Sequence, residues 1–222
     1  MSMLYSAADL VFDTVKECIL TGELQGGELI SEGDIAKRLE VSRTPVREGF
    51  LRLEAAGWMR LYPKKGALIL PIADGEAEAV VEVRYLVETH AVRRIVQSDS
   101  ATERVVSELL DSVARLQALR HSNDTADFAA EDAAFHGIIV QAGTNPILAD
   151  FYSTLRDKQR RMSALSLARN PRAVGADILN DHEELVDAVR RKDVEGFAEA
   201  IWLHMRSVHG LPPLPQPDRV RT

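Results

Sequence analysis

Four side chains in the second half of the chain are of the types that share a metal ion. Asp132 and His136 are four residues apart, so on a helix they lie on one face. That face also carries Phe128, Ala129, Phe135 and Ile139, which should turn it inward. His182 sits among Ile178, Leu179, Leu185 and Val186, and His204 among Ala200, Ile201, Leu203 and Val208. Each is a polar group on an apolar stripe, and a buried polar group without a partner is costly. One divalent cation would satisfy all four. Three imidazoles and a carboxylate suit Zn, Ni, Mn or Fe, and a bundle core is a common place for such a site. Spacing alone leaves a second reading open, in which each histidine is an ordinary core residue with its own partner. His90, His121 and His209 lack matching partners and are expected on the surface or in loops.

A metal with open positions can also activate water, so a metal-dependent hydrolase is the competing class. The chain has no HExxH and no paired carboxylates beside the histidines to act as a general base. Glu131 adjoins Asp132 but points off its face. No Gly-rich phosphate loop and no Ser or Cys nucleophile motif is present. The expected class is therefore a binding protein and not an enzyme.

The elements that must carry these residues are helical. A chain of 222 residues fits two modest domains, and 45% hydrophobic residues suffice for real cores. Residues 74–222 hold 18 Lys/Arg and 24 Asp/Glu, a net of -6, and show no strand pattern. Helices are expected from a cap at Asp74 to about Val96, from a cap at Thr102 to about Arg120, and from Thr125 to about Ala142. Three more should run from Pro146 to about Ala168, from Asn170-Pro171 to about Arg191, and from Asp193 to about His209. His121 to Asp124 reads as a polar loop. The tail 210–222 is rich in proline and is expected to be disordered. Cys18 is the single cysteine, which excludes an internal disulfide. No apolar run reaches the roughly 18 residues of a spanning helix, and no leader pattern is seen, so a cytoplasmic protein with no membrane contact is expected.

The front of the chain has a different character. Ser31 to Leu70 reads as helix, tight turn, helix and a two-stranded ribbon. Ser31 can cap the first of these helices, with Asp34 reaching back. Ser42 can cap the second through its hydroxyl, and Pro45 falls in the first turn, where its missing N–H costs little. Gly57 suits the left-handed residue that closes it. Trp58 to Tyr62 and Ala67 to Leu70 read as strands. Between Ile35 and Gly66 there are eight Lys/Arg and three Asp/Glu, a net of +5 in a chain of net charge -7. A basic island in an acidic protein is what phosphate binding needs. Ser42, Arg43, Thr44 and Arg47 lie on the early turns that a recognition helix points at base edges, and Lys64, Lys65 and Gly66 lie at the ribbon tip. Double-stranded DNA is the expected partner.

At this point a family resemblance emerges. VSRTPVREGFLRLEAAGW, a strand, PKKGA and a second strand resemble the winged helix of the GntR superfamily of bacterial transcription regulators. Two features depart from its pattern: Glu32 is followed by Gly33 where the family often has Arg, and Gly26-Gly27 replaces its usual Pro-Gly. EDAAFHGIIVQAGTNPIL, ILNDHEELVDAVRRKD and EAIWLHMRSV resemble the ligand-bearing helices of the FCD effector domain of the FadR-type branch. The resemblance implies a mostly α protein with a winged helix-turn-helix domain over 1–73 and an all-α bundle over 74–209. It implies that Asp132, His136, His182 and His204 hold a divalent metal, which fixes a small carboxylate effector. Arg84 and Glu88 fall in a segment similar to the family's VR-x-x-x-E pattern. Arg84 could clamp the effector carboxylate, or pair with Glu88 along the helix. The implied protein is a homodimeric regulator, a repressor of a palindromic operator.

Overall fold

The structure is a computed structural model that describes residues 5–120, 125–169 and 176–212. The chain divides into two compact units, Met1–Ala73 and Asp74–Thr222.

The first unit runs α1 (Ala7–Thr21), β1 (Leu29–Ile30), α2 (Glu32–Arg38), α3 (Arg43–Ala55), β2 (Met59–Tyr62) and β3 (Gly66–Ile69). The ribbon gains a third strand that its sequence did not suggest. β1 pairs antiparallel with β3, giving the order β1-β3-β2. Two residues are too few for a periodic pattern, so only tertiary pairing marks that strand. Gly66 is needed where β1 crosses, because a Cβ there would meet the Ile30 carbonyl oxygen at 2.3 Å. Val11, Val15 and Ile19 of α1 pack with Val46, Phe50 and Leu53 of α3 and with Met59, Ala67 and Ile69 of the sheet, all nearly or fully buried. The tip turns over Pro63 and Lys64, with the Lys65 N–H donating to the Tyr62 carbonyl at 3.0 Å. Lys64 takes φ 64°, the left-handed position of a type II turn.

Helix starts in this unit follow one rule with one exception. Ser6 accepts from the N–H of Asp9 and Ser31 from that of Asp34, each three residues on. At Ser31 the Asp34 carboxylate returns to the serine hydroxyl at 2.7 Å. Ser42 holds the extended cap conformation, φ -73° and ψ 168°, yet its hydroxyl makes no cap bond, contrary to expectation. The reason is local. The residue three beyond Ser42 is Pro45, which has no N–H to give.

The second unit is all helix among the described residues: α4 (Glu76–Ile95), α5 (Asp99–Leu119), α6 (Thr125–Gly143), α7 (Pro146–Arg169), α8 (Ala176–Arg190) and α9 (Val194–Val208). Two expected caps are displaced. α4 starts after Gly75 in the left-handed region instead of at Asp74. α5 is capped by Ser98, which accepts from Ala101, while Thr102 lies inside the helix and donates to the Ser98 and Ile95 carbonyls. Asn145 caps α7 through the Leu148 N–H, and Asp193 caps α9 through Gly196. The expected loop 121–124 and the restart at 170–175 lie outside the described residues, as does the tail from residue 213.

Two apolar clusters fill this bundle. The larger joins α4, α5, α6, α8 and α9 through Val81, Val92, Leu109, Phe135, Leu185 and Ile201. The smaller holds Leu116, Phe128, Ala129, Leu167, Ile178 and Leu179. α6 crosses from one to the other, and so does α8. Asp132 on α6 and His182 on α8 fall between the residues that each helix gives to the two clusters, so they lie at the seam, with His136 one turn on from Asp132.

If Ser42 does not cap its helix, Ser6→Ala and Ser42→Ala should differ in urea unfolding. The Ser6 change is expected to cost about 1 kcal/mol. The Ser42 change should stay within about 0.5 kcal/mol, as for an uninvolved surface residue. Equal losses would place the Ser42 hydroxyl on a backbone N–H in solution.

Candidate metal centre and nucleic-acid interface

The structure brings Asp132, His136, His182 and His204 together. One ligand atom from each lies within 4.8 Å of the others, and all four residues are buried. His182 Nε2 is 3.2 Å and His136 Nε2 3.9 Å from Asp132 Oδ1. The imidazoles crowd one another, with centroids 5.5 Å apart for His136 and His182 and 4.8 Å for His182 and His204.

The outer atom of each ligand is tied. His182 Nδ1 lies 2.7 Å from the Ile178 carbonyl, which can only accept, so Nδ1 carries the proton and Nε2 presents a lone pair. His136 Nδ1 lies 2.7 Å from Glu88 Oε2, and His204 Nδ1 3.1 Å from Asp181 Oδ2. Gln159 Nε2 donates to Asp132 Oδ2 at 2.9 Å. The inner atoms are not tied: Asp132 Oδ1, His136 Nε2 and His182 Nε2 are buried with no hydrogen-bond partner. Each such group would cost about 1–3 kcal/mol if left so. Inward lone pairs with outward N–H groups anchored on acceptors are the arrangement that metal-ligating histidines adopt. The donor set therefore fits a divalent metal.

Glu88 is the residue behind this order, and it was not foreseen in that role. It is fully buried and accepts from His136, from Tyr152 Oη at 2.6 Å and from Arg84 Nε at 2.9 Å. Burial alone would raise its pKa, but His136, Arg84 and Tyr152 outweigh that and hold it at about 2. Burial pushes His136 down to about 4, against the pull of Glu88, so the imidazole is neutral near pH 7. Asp132 is held well below the usual carboxylate range, because the three imidazoles more than offset its burial. Arg84 makes the helical ion pair with Glu88 and still has Nη2 buried and unpartnered. The ion pair with Glu88 therefore leaves one nitrogen of the guanidinium without a partner.

Other residues fall elsewhere. Glu131 accepts from Ser112 Oγ at 2.5 Å and pairs with Arg115, so it is engaged away from the cluster. His90 is exposed, and His121 lies outside the described residues. His209 corrects its expected place. It is the C-cap of α9, but its Nε2 is buried, and Arg84, Asp132, His204 and His136 all act on its charge. A lone histidine beyond the last apolar residue gave no sign of that, because the cause is the turn that follows it.

In the first unit, Ser42, Arg43, Thr44 and Arg47 are exposed on the first turns of α3, and Lys64 and Lys65 are exposed at the wing tip beside Gly66. Arg43, Arg47, Lys64, Lys65 and Gly66 line one groove of ≈ 630 Å³ with Ser31, Gly33 and Tyr62. The eight cations of the basic island are not equivalent. Arg38 pairs with Glu23 and Arg52 with Asp9, and the Arg52 guanidinium also lies over the Phe12 ring. Arg43, Arg47, Lys64 and Lys65 make no ion pair among the described residues.

Comparison with known proteins agrees with both units. Residues 79–207 match the FCD domain, and residues 7–69 match the bacterial regulatory proteins of the gntR family. The chain is 32% identical over 130 residues to an HTH-type transcriptional regulator from the TAR-I ttuE-ttuC' intergenic region of Agrobacterium vitis, covering 58% of this chain and 76% of that one. It is 27% identical over 178 residues to the gluconate operon transcriptional repressor of Bacillus subtilis (strain 168), covering 79% and 72%. Among solved structures, E. coli McbR/YncC shares the fold with TM-score 0.74 at 22% identity, over 92% of this chain and 95% of that one. A GntR regulator from Rhodococcus sp. RHA1 shares it with TM-score 0.76 at 16% identity, over 91% and 95%. The family and the relatives from Agrobacterium vitis and Bacillus subtilis are regulators of transcription and not enzymes. The chain is therefore a transcription regulator of the GntR family, built from a winged helix-turn-helix and an FCD domain.

Proposed function

We propose that the protein is a repressor whose operator affinity is set by a small carboxylate bound at a metal centre in the second unit. The reading rests on one observation above all. Asp132, His136, His182 and His204 offer inward atoms within 4.8 Å, with the outer atom of each held by a neighbour. These four residues would hold Zn, Ni, Mn or Fe. A bound divalent ion with open positions supplies a Lewis-acid seat for an anionic oxygen. Arg84 Nη2 supplies a donor for a second oxygen of the same carboxylate.

The DNA contacts belong to the first unit. Arg43 and Arg47 meet base edges or phosphates from α3, and Lys64 and Lys65 reach along the backbone from the wing. Ser42 offers a free hydroxyl and the open N–H groups of a helix start. One recognition helix reads only a few base pairs, so a homodimer on a palindrome is proposed. Control by the effector requires that its affinity differ between DNA-competent and DNA-incompetent states. Repressor is the name that the relative in Bacillus subtilis carries, and that name supports the sign proposed here.

Arg47→Ala should weaken operator binding at least tenfold and flatten the salt dependence by about one ion if Arg47 meets phosphate. Fluorescence anisotropy titrations at several salt concentrations measure both, and unchanged affinity would remove Arg47 from the interface. His136→Ala should abolish metal uptake, and Glu88→Gln should weaken it about 10–100-fold by releasing the His136 ring. Both should leave operator binding without effector intact. Elemental analysis giving parent-level metal in His136→Ala would sink the ligand assignment.

The metal-free protein should also respond to acid with a defined sign. Burial in the folded state pushes the His136 imidazole down to about 4 and that of His209 to about 3, below the roughly 6.5 of an unfolded histidine. The unfolded chain then binds more protons in that window. Stability is fully present above pH ~6.5 and is lost as pH falls through the folded values. Melts in chelator between pH 7 and 4.5 should show Tm falling, and a flat profile would mean that these rings are not buried neutral.

A further inference from the structure

We propose that Gly33 is a specificity-determining position of the DNA interface. Its missing side chain lets the Arg43 guanidinium cross from α3 onto the start of α2, where Arg43 reads a guanine. This deepens the operator reading above and rests on it.

The fold itself gains nothing from a glycine at residue 33. Glycine is the poorest helix former after proline, and α2 has only seven residues in which to hold it. The other glycines of this unit answer to the backbone. Gly22, Gly27, Gly57 and Gly66 stand at positive φ. A Cβ on Gly26 would meet Pro71 Cα at 2.7 Å, and one on Gly49 would meet Val11 Cγ1 at 2.6 Å. Gly33 has neither reason. It lies in the first turn of α2, outside the left-handed region. A Cβ built on it would meet Arg43 Nη2 at 3.5 Å and Ser31 Oγ at 3.7 Å, both ordinary contacts. Alanine fits there, but a longer side chain would contend with the arginine for the same space.

The distribution of charge shows what that space serves. α2 opens with Glu32, Gly33 and Asp34, and its own cations, Lys37 and Arg38, stand in its last turn. Arg38 is taken by Glu23. Ser31, Glu32 and Gly33 line the groove between α2, α3 and the wing, whereas its cations come from α3 and the wing. Asp34 is turned to the Ser31 hydroxyl, 2.7 Å away, and Arg43 makes no ion pair among the described residues. On the α2 wall Arg43 is thus the cation at hand, and it has room there because residue 33 is bare.

The chemistry favours a base over a phosphate. A phosphate accepts from any nearby cation and tolerates a shift of a flexible side chain, so it would not need a cleared seat. A guanine presents O6 and N7 side by side in the major groove, which the planar fork of an arginine matches with two N–H donors. That match depends on where the fork stands. Clearance over Gly33 sets the fork to one side without spending its donors, as an ion pair would.

The test uses the full-length protein. Selection from random duplexes gives the parent's preferred sequence, and fluorescence anisotropy then measures affinity for that duplex and for each single base-pair change. Arg43→Ala should lose roughly tenfold discrimination at one guanine of each half-site. Gly33→Leu fills the clearance without adding charge. It should lose the same discrimination at the same base pair, and combining it with Arg43→Ala should cost nothing further. Gly33→Ala should keep the parent's preference. Both Gly33 variants should melt no lower than the parent, since alanine and leucine favour helix over glycine, which separates a lost preference from misfolding. A parent-like preference in Gly33→Leu would overturn the proposal. So would a loss at a different base pair from that of Arg43→Ala, or losses that add in the double variant. Equal weakening of every duplex by Arg43→Ala would make Arg43 a phosphate contact and overturn only this inference. A parent with no preferred sequence would overturn the operator reading itself.

Discussion

A polar atom taken out of water must find a partner, and the second unit is organised by that demand. Its seam holds ionisable side chains from α4, α6, α8 and α9 where two apolar clusters meet. The outward-facing atoms are satisfied by protein groups, and the inward-facing ones are not. Glu88 is the keystone of the satisfied half. It spends one oxygen on the His136 ring and shares the other between Tyr152 and Arg84. The inward-facing atoms are thereby held in place by protein groups, and on the reading proposed here that preorganisation would favour a metal and a small anion.

On the reading proposed here, the two units would meet their ligands by opposite physics. In the first unit the proposed contact groups are exposed and make no ion pair among the described residues, so they would act through long-range attraction and respond to salt. In the second the proposed ligands are buried, so they would act at contact distance. The basic island illustrates the division within a single unit. Arg38 and Arg52 are absorbed by Glu23 and Asp9 and help to hold the fold, whereas Arg43, Arg47, Lys64 and Lys65 stay available.

Much of this was legible in the chain. The helix-turn-helix and wing could be read because capping serines, Pro45, Gly57 and the Pro63–Gly66 tip are local signals. Asp132, His136, His182 and His204 could be picked out because each interrupts an apolar stripe. What could not be read depends on groups distant in sequence. The short strand β1 exists only through β3. Glu88 looked like half of a helical ion pair, and nothing local tied it to His136, 48 residues away. Gln159 and Ser163 lie on a helix whose inward face is partly polar, so periodicity understated their burial. His209 reads as a surface or loop residue because the turn that draws it inward, through Gly210 and Leu211, lies beyond it. Thr102 and Asp74 failed as caps because Ser98 and Gly75 stood at the actual helix starts.

The missing cap at Ser42 has a wider meaning. Every other serine or aspartate cap described here neutralises its own helix start, but the Ser-x-x-Pro sequence forbids this at α3. The isolated protein therefore carries a locally frustrated turn at an exposed helix start. A change of Pro45 to an ordinary residue would restore an N–H that the hydroxyl could cap and would make a sturdier helix. On the reading proposed here, that sturdier helix would have less to offer a phosphate. Selection for thermal robustness and selection for operator grip would then pull this one position in opposite directions.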